Sequence, residues 1–267
     1  MNSKDQLLVD DINLPQVLAA ERDFIIVYKP PRMHSLPLPK PDATIHQETL
    51  LDFCIKSFPE LSSLPGRRKG EGGLIHRLDY ETQGLLLLGR SKKGIKSLLA
   101  QQEERQIHKY YSAITGTPPE GPGKLLPGFP PEKPDVTDVY SRAFISSAFR
   151  PYGEGRKAVR PLLDTNRKRK TGYALDRGAM YSTEILKSRK LAPGFALLEL
   201  RLLKGFRHQI RSHLAWLDQP ILNDSLYGGP AWGKGLLALR AFSLSFSDPT
   251  SGAALSYSIP CLELDMV

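Results

Sequence analysis

His76-Arg77-Leu78-Asp79 leads directly into Tyr80-Glu81-Thr82-Gln83-Gly84 and the apolar run Leu85 to Leu88. The spacing sets a basic side chain two residues from a carboxylate at the mouth of a buried strand, where an ionisable group is costly unless it is paired or used. By itself the tetrapeptide fits a turn with a surface ion pair. A carboxylate that is used instead can act as a nucleophile or as electrostatic support for an electron-poor centre.

The other chemistry-bearing spacings exclude more than they assign. His208 and His213 are five apart, on different sides of a helix, whereas helical zinc sites use a spacing of about four, so no metal is expected. Gly66-Arg67-Arg68-Lys69-Gly70-Glu71-Gly72-Gly73 is basic and glycine-rich. It lacks the Gly-Lys-Ser/Thr ending of a nucleotide-binding loop and reads as a surface loop that can touch phosphates. Cys54 and Cys261 form neither a Cys-x-x-Cys pair nor a disulfide framework, which suits a reduced cytoplasmic setting.

The 267 residues suffice for a substantial core. With 37 Lys and Arg against 28 Asp and Glu the net charge is +9. That charge points to an anionic partner, and nucleic acid is expected because no membrane-spanning or lipid-anchoring signal accompanies it. The apolar runs are too short for a transmembrane helix, and Met1 to Asp11 lacks a secretory pattern. The charge is local: Arg150 to Lys190 holds twelve Lys or Arg against four Asp or Glu, a surplus of eight. This stretch, with Arg167-Lys168-Arg169-Lys170 and the aromatic Tyr152 and Tyr173, reads either as a solvated, partly disordered loop or as an RNA-contacting surface.

The elements that must position these residues follow from periodicity. Asp23 to Val27 predicts a strand closed by Lys29-Pro30-Pro31. Leu50, Leu51, Cys54, Ile55 and Phe58 recur at helical spacing until Pro59. Leu85 to Leu88 is the next strand, and Ser91 caps a helix that carries Ile95, Leu98 and Leu99 on one face and runs to about Arg105. Lys109 to Gly116 is rich in strand-formers, whereas the Pro- and Gly-rich Thr117 to Asp135 predicts a long loop. Gly194 to Leu203 reads as a strand, followed by a helix with Ile210, Leu214 and Leu217 on one face and Arg207 and Arg211 on another. It stops near Asp218-Gln219-Pro220; Ile221 to Gly229 reads as a loop, and Leu236 to Phe246 and Ala254 to Ile259 as a closing pair of strands.

Three of these segments, in this order and spacing, resemble RluA-type pseudouridine synthases. His76-Arg77-Leu78-Asp79 with Thr82 and Gly84 is similar to their catalytic motif. Lys109-Tyr110-Tyr111 with Ala113 and Gly116 is similar to their Lys-x-Tyr strand, and His208-Gln209-Ile210-Arg211 with His213-Leu214 to their third motif. The likeness extends to Asp23 to Pro30, to Pro220 to Gly228 and to the closing strands. It implies an α+β fold, with a mostly antiparallel central sheet and flanking helices. It also implies that a uridine already in RNA leaves its ribose and rejoins through carbon, with no metal, nucleotide or redox cofactor.

In that resemblance Asp79 is the essential carboxylate. It would trap or stabilise an oxocarbenium-like sugar, or promote proton removal from the adjacent ribose carbon. Arg211 resembles the arginine that pairs with the catalytic Asp and favours its charged form. Tyr111 resembles the tyrosine that stacks beneath the uracil, and Ile210 an apolar neighbour of the same pocket. Arg77 resembles an arginine that contacts RNA near the flipped-out nucleotide. His76, Lys109, Arg207, His208 and Gln209 complete the expected RNA-binding set.

The chain also departs from the family pattern. Phe206-Arg207 stands for the usual Arg-Thr, Gln83 for a common serine, Asn223 and Ser225 for glycine and proline, and Arg240 and Asp248 for histidines. A divergent branch is implied. No S4-type domain fits before Asp23, so RNA selection is expected to rest on the catalytic domain and its basic segment. The expected organisation is an N-terminal extension (1–22), a catalytic domain (23–262) with an insertion at about 117–178, and a tail (263–267). A cytoplasmic monomer acting on structured ribosomal or transfer RNA follows. The alternatives are a noncatalytic RNA-binding or RNA-remodelling protein on the same scaffold, and a hydrolase that releases uracil.

Overall fold

The computed structural model describes residues 3–37, 47–66, 70–117, 126–134, 142–163 and 179–267. The chain divides into two compact units, 1–110 with 240–261 and 111–239 with 262–267. As expected, the fold is mixed α+β with mostly antiparallel strand pairing.

The first unit contains β1 (Ser3–Gln6), β2 (Gln16–Ala20), β3 (Phe24–Lys29) and β4 (Gln83–Gly89). Late in the chain come β10 (Leu239–Ser247, in this unit from Arg240) and β11 (Ala254–Ser258). The order β2-β3-β4-β10 continues into β11, with β1 beside it. β4 pairs with β10, and β1 with β11, in parallel; the other pairs are antiparallel. β3 and β4 are buried along their whole length, which is why they read as unbroken apolar runs. Their side chains join Ile75, Leu98, Phe246 and Tyr257 in one core. Helix α1 (Leu50–Ser57) starts at a Thr49–Asp52 capping box, and α2 (Lys92–Glu103) starts where Ser91 accepts from the Gly94 N–H.

The second unit holds most of β5 (His108–Gly116), then β6 (Ala143–Tyr152), β7 (Ala158–Leu162), β8 (Tyr181–Ala192), β9 (Phe195–Leu202) and α3 (Gln209–Trp216). The strand order is β5-β9-β8-β6-β7. Here the loop reading of Arg150 to Lys190 needs correction, because β7, β8 and the end of β6 occupy much of it. Only one face of β6 is apolar and buried, at Ile145 and Phe149, while Phe144 and Ser146 are exposed. Pro161 is tolerated because β7 lies at the edge of the order, where a missing N–H breaks no inner ladder. Arg67 to Lys69, Arg167 to Lys170, Tyr173 and, within the Thr117 to Asp135 loop, residues 118–125 and 135 lie outside the described residues. No described helix is long and apolar enough to cross a membrane.

Candidate active site

The β3–β4 ladder sets Lys29 opposite Gly84, so the chain entering β4 passes the end of β3. The Thr82 N–H donates to the Asp79 carbonyl at 3.1 Å and closes a turn around the carboxylate. This turn is clamped by the segment that follows β3. Ser35 Oγ accepts from the Leu78 N–H (3.2 Å) and lies 2.9 Å from the Leu78 carbonyl. Lys29 Nζ donates to the carbonyls of Pro30 (2.8 Å), Met33 (2.8 Å) and Tyr80 (3.2 Å). The His34 and Tyr80 rings lie 4.6 Å apart.

Burial pushes the Lys29 amine down to about 7, against the pull of the Asp79 and Glu81 carboxylates. On the far side of the turn Gly84 has φ +126°, and a Cβ there would stand 2.2 Å from the Ala241 carbonyl oxygen. Glycine therefore lets β10 approach the start of β4. Asp79 itself is half-buried and Arg77 is exposed. The result is a carboxylate on a backbone fixed at its neighbours Leu78 and Tyr80, the kind of preorganised charge that can stabilise or trap a cationic carbon.

Two expected RNA-binding residues of this unit face inward. Both ring nitrogens of His76 are buried without a hydrogen-bond partner among the described residues. Burial, then the Lys109 charge, holds this imidazole well below its ordinary range. Lys109 is buried and donates to Gln102 Oε1 at 3.0 Å.

In the second unit Tyr111 and Ile210 are buried. His208 adopts the left-handed conformation (φ +54°) just before α3, with Nδ1 3.2 Å from the Tyr227 hydroxyl. Gln209 is committed to backbone support: Oε1 accepts from the Phe206 N–H (2.9 Å), and Nε2 donates to the Ser182 carbonyl (2.9 Å) and to Thr183 Oγ1 (3.1 Å). Arg207 Nη2 donates to the carbonyls of Arg156 (2.6 Å) and Ala158 (3.2 Å), bracing the β6–β7 connection. Phe206 stacks on Phe149 with ring centroids 5.1 Å apart.

Arg211 forms a bidentate pair with Asp224, Nε to Oδ2 and Nη2 to Oδ1, both at 2.7 Å. Its guanidinium lies 5.3 Å from the Tyr227 ring centroid. The expected residues are thus grouped as His76, Arg77, Asp79 and Lys109 in the first unit and Tyr111 with Arg207 to Arg211 in the second. Sequence reasoning missed Asp224, Lys29 and Ser35. Lys29 left a trace as the polar end of an apolar strand, but no spacing connects Asp224 with Arg211.

A family model described as RNA pseudouridylate synthase matches residues 23–216. An uncharacterized RNA pseudouridine synthase of Helicobacter pylori is 26% identical over 257 residues, covering 93% of this chain and 67% of that protein. The ribosomal large subunit pseudouridine synthase D of Xanthomonas campestris is 29% identical over 229 residues, covering 80% and 57%. The chain therefore matches about two thirds of the first relative and just over half of the second. The solved structure of human RNA pseudouridylate synthase domain containing 1 has a similar fold, with a TM-score of 0.58 at 21% identity over 95% of this chain and 86% of that one.

Proposed function

Because the chain belongs to the RNA pseudouridylate synthase family, we propose that it isomerises a uridine of ribosomal RNA to pseudouridine, with Asp79 as the essential carboxylate. The observation that carries this reading is the family match over 23–216, a span that includes Asp79, Tyr111 and Arg211. The ribosomal target is favoured by relatives such as the Xanthomonas campestris protein, whose name specifies the large ribosomal subunit.

In the proposed reaction the N1–C1′ bond breaks, the uracil turns, and a C5–C1′ bond forms. The proton on C5 is lost and N1 gains one, so the atoms balance without a co-reactant. Asp79 bonds to C1′, stabilises its positive charge, or assists proton removal from the next ribose carbon. Tyr111 supports the turned uracil, Ile210 packs beside it, and Arg211 pairs with the reacting carboxylate, as the sequence resemblance implies. Since a stacked uridine must leave its stack to react, the exposed Arg77 is the first-unit residue assigned to the RNA around it.

Asp79→Asn keeps the side-chain shape and removes the charge. Pseudouridine formation by the purified variant on its ribosomal RNA is expected to fall by at least about a thousandfold, the scale of losing a reacting carboxylate. RNA affinity is expected to stay within about twofold, since binding does not need the bond-making group. Retained turnover overturns the mechanism. Identical pseudouridine maps of ribosomal RNA with and without the protein overturn the target.

A further inference from the structure

Arg240 stands in register with Gln83, the first residue of β4, and is a buried guanidinium, 3% exposed. Among the described residues its hydrogen-bond acceptors are neutral. Nε and Nη2 both donate to Gln83 Oε1 (3.2 and 2.8 Å), and Nη1 donates to the Pro260 carbonyl (3.1 Å). The Tyr28 hydroxyl lies 2.8 Å from the same Gln83 oxygen and 3.0 Å from the Ile12 carbonyl. One amide oxygen is thus approached by two guanidinium N–H groups and a hydroxyl, while Gln83 Nε2 and the neighbouring Thr82 Oγ1 are buried without a partner among the described residues. Burying a charge against neutral acceptors is costly, and a costly polar arrangement beside a reacting group is a sign of use.

The position of the cluster says what that use is. β4 and β10 pair in parallel through Gln83–Arg240 and Gly84–Ala241, immediately after the turn that Thr82 closes onto Asp79. Lys29 and Ser35 hold this turn from its entry side. The Gln83 side chain holds its exit, tied to β3 through Tyr28 and to β10 through Arg240. We infer that Gln83 and Arg240 act together as a positioning pair that sets the Asp79 turn. The inference rests on Asp79 being the reacting carboxylate.

Gln83→Met, Arg240→Met, the double variant and the conservative Arg240→Lys test it with two readouts. The first is amide hydrogen exchange at Thr82, whose N–H reports the turn directly. In each Met single variant Thr82 is expected to exchange at least about tenfold faster, while Leu86 to Leu88 in the middle of β4 keep their protection. Unchanged Thr82 protection in both single variants overturns the inference, whatever reaction the protein catalyses.

The second readout is pseudouridine formation. Each Met single variant is expected to lose about 10- to 100-fold in kcat, the scale of a misplaced reacting group, with KM within about twofold. The double variant should be no worse than the weaker single, and Arg240→Lys should recover part of the rate. Multiplying losses in the double variant, or a loss carried by KM, overturns the pairing. A wild-type chain that makes no pseudouridine removes the functional reading alone, and Thr82 exchange then decides the positioning claim. If Arg240→Met does not fold, Gln83→Met and Arg240→Lys carry the same comparison.

Discussion

Two of the buried cations, Lys29 of the first unit and Arg211 of the second, are held in opposite ways. Arg211 meets a buried carboxylate through two parallel bonds of 2.7 Å. Lys29 is wrapped by three backbone carbonyls, and the Asp79 and Glu81 carboxylates act on it through their field. The arginine keeps its proton at any working pH, and its planar fork fixes the direction of approach. The lysine is a point charge whose proton is within reach of ordinary pH. The second unit has therefore built a permanent charge pair, and the first has built a backbone clamp whose charge can change.

The largest expected effect breaks the permanent pair. Asp224→Ala removes the bidentate acceptor from a guanidinium that is 7% exposed, and losing one member of such a buried pair costs about 3–5 kcal/mol. Denaturant unfolding of the purified variant measures it. Replacing both partners, as Arg211→Met with Asp224→Leu, should return most of that stability, because neither member of the pair is then left as an unmatched buried charge. A double variant as unstable as Asp224→Ala would mean that packing around the site, not charge pairing, sets the cost.

A smaller effect tests the clamp without touching a charge. Ser35→Ala leaves the buried Leu78 N–H without its acceptor, which costs about 1–3 kcal/mol for an unsatisfied buried group. If the clamp serves the Asp79 turn, kcat for pseudouridine formation falls with it. An unchanged kcat at lowered stability would assign Ser35 to folding alone.

The contrast also marks what the sequence could convey. β3, β4 and α2 were legible because their burial follows strand or helix periodicity, and Asp79 stood out as a carboxylate at the edge of an apolar run. The supports of that carboxylate were not. Ser35 and Lys29 reach the turn across 43 and 51 residues of chain, and side-chain bonds to distant carbonyls leave no periodic trace. Asp224 lies in a stretch that reads as loop, where a carboxylate is unremarkable until Arg211 is found against it. β6 and β7 were missed because their outward faces carry arginines and their ends carry prolines, so local composition resembled a solvated segment. Their pairing with each other and with β8 overrode it.

The last comparison separates the two cations by pH. Lys29 titrates near 7 in the folded chain, against 10.5 for an unperturbed lysine. Below about 7 both folded and unfolded chains hold this proton, and the folded one bears the full cost of burying the charge. Between about 7 and 10.5 the unfolded chain still holds the proton and the folded chain does not. The contribution of Lys29 to stability therefore rises with pH in that window, by at most about 1.4 kcal/mol per unit. Lys29→Met abolishes this slope, so wild type should gain on the variant between pH 7 and 9 when both are unfolded by denaturant at each pH. The neutral amine has two N–H donors for three carbonyls, and Tyr80, the longest of the contacts at 3.2 Å, is the one expected to be released. Thr82 amide protection, corrected for intrinsic exchange, should then weaken above pH 7 in wild type. Parallel stability curves for wild type and Lys29→Met would show that the clamp keeps its proton throughout and that the charge of Lys29 is as permanent as that of Arg211.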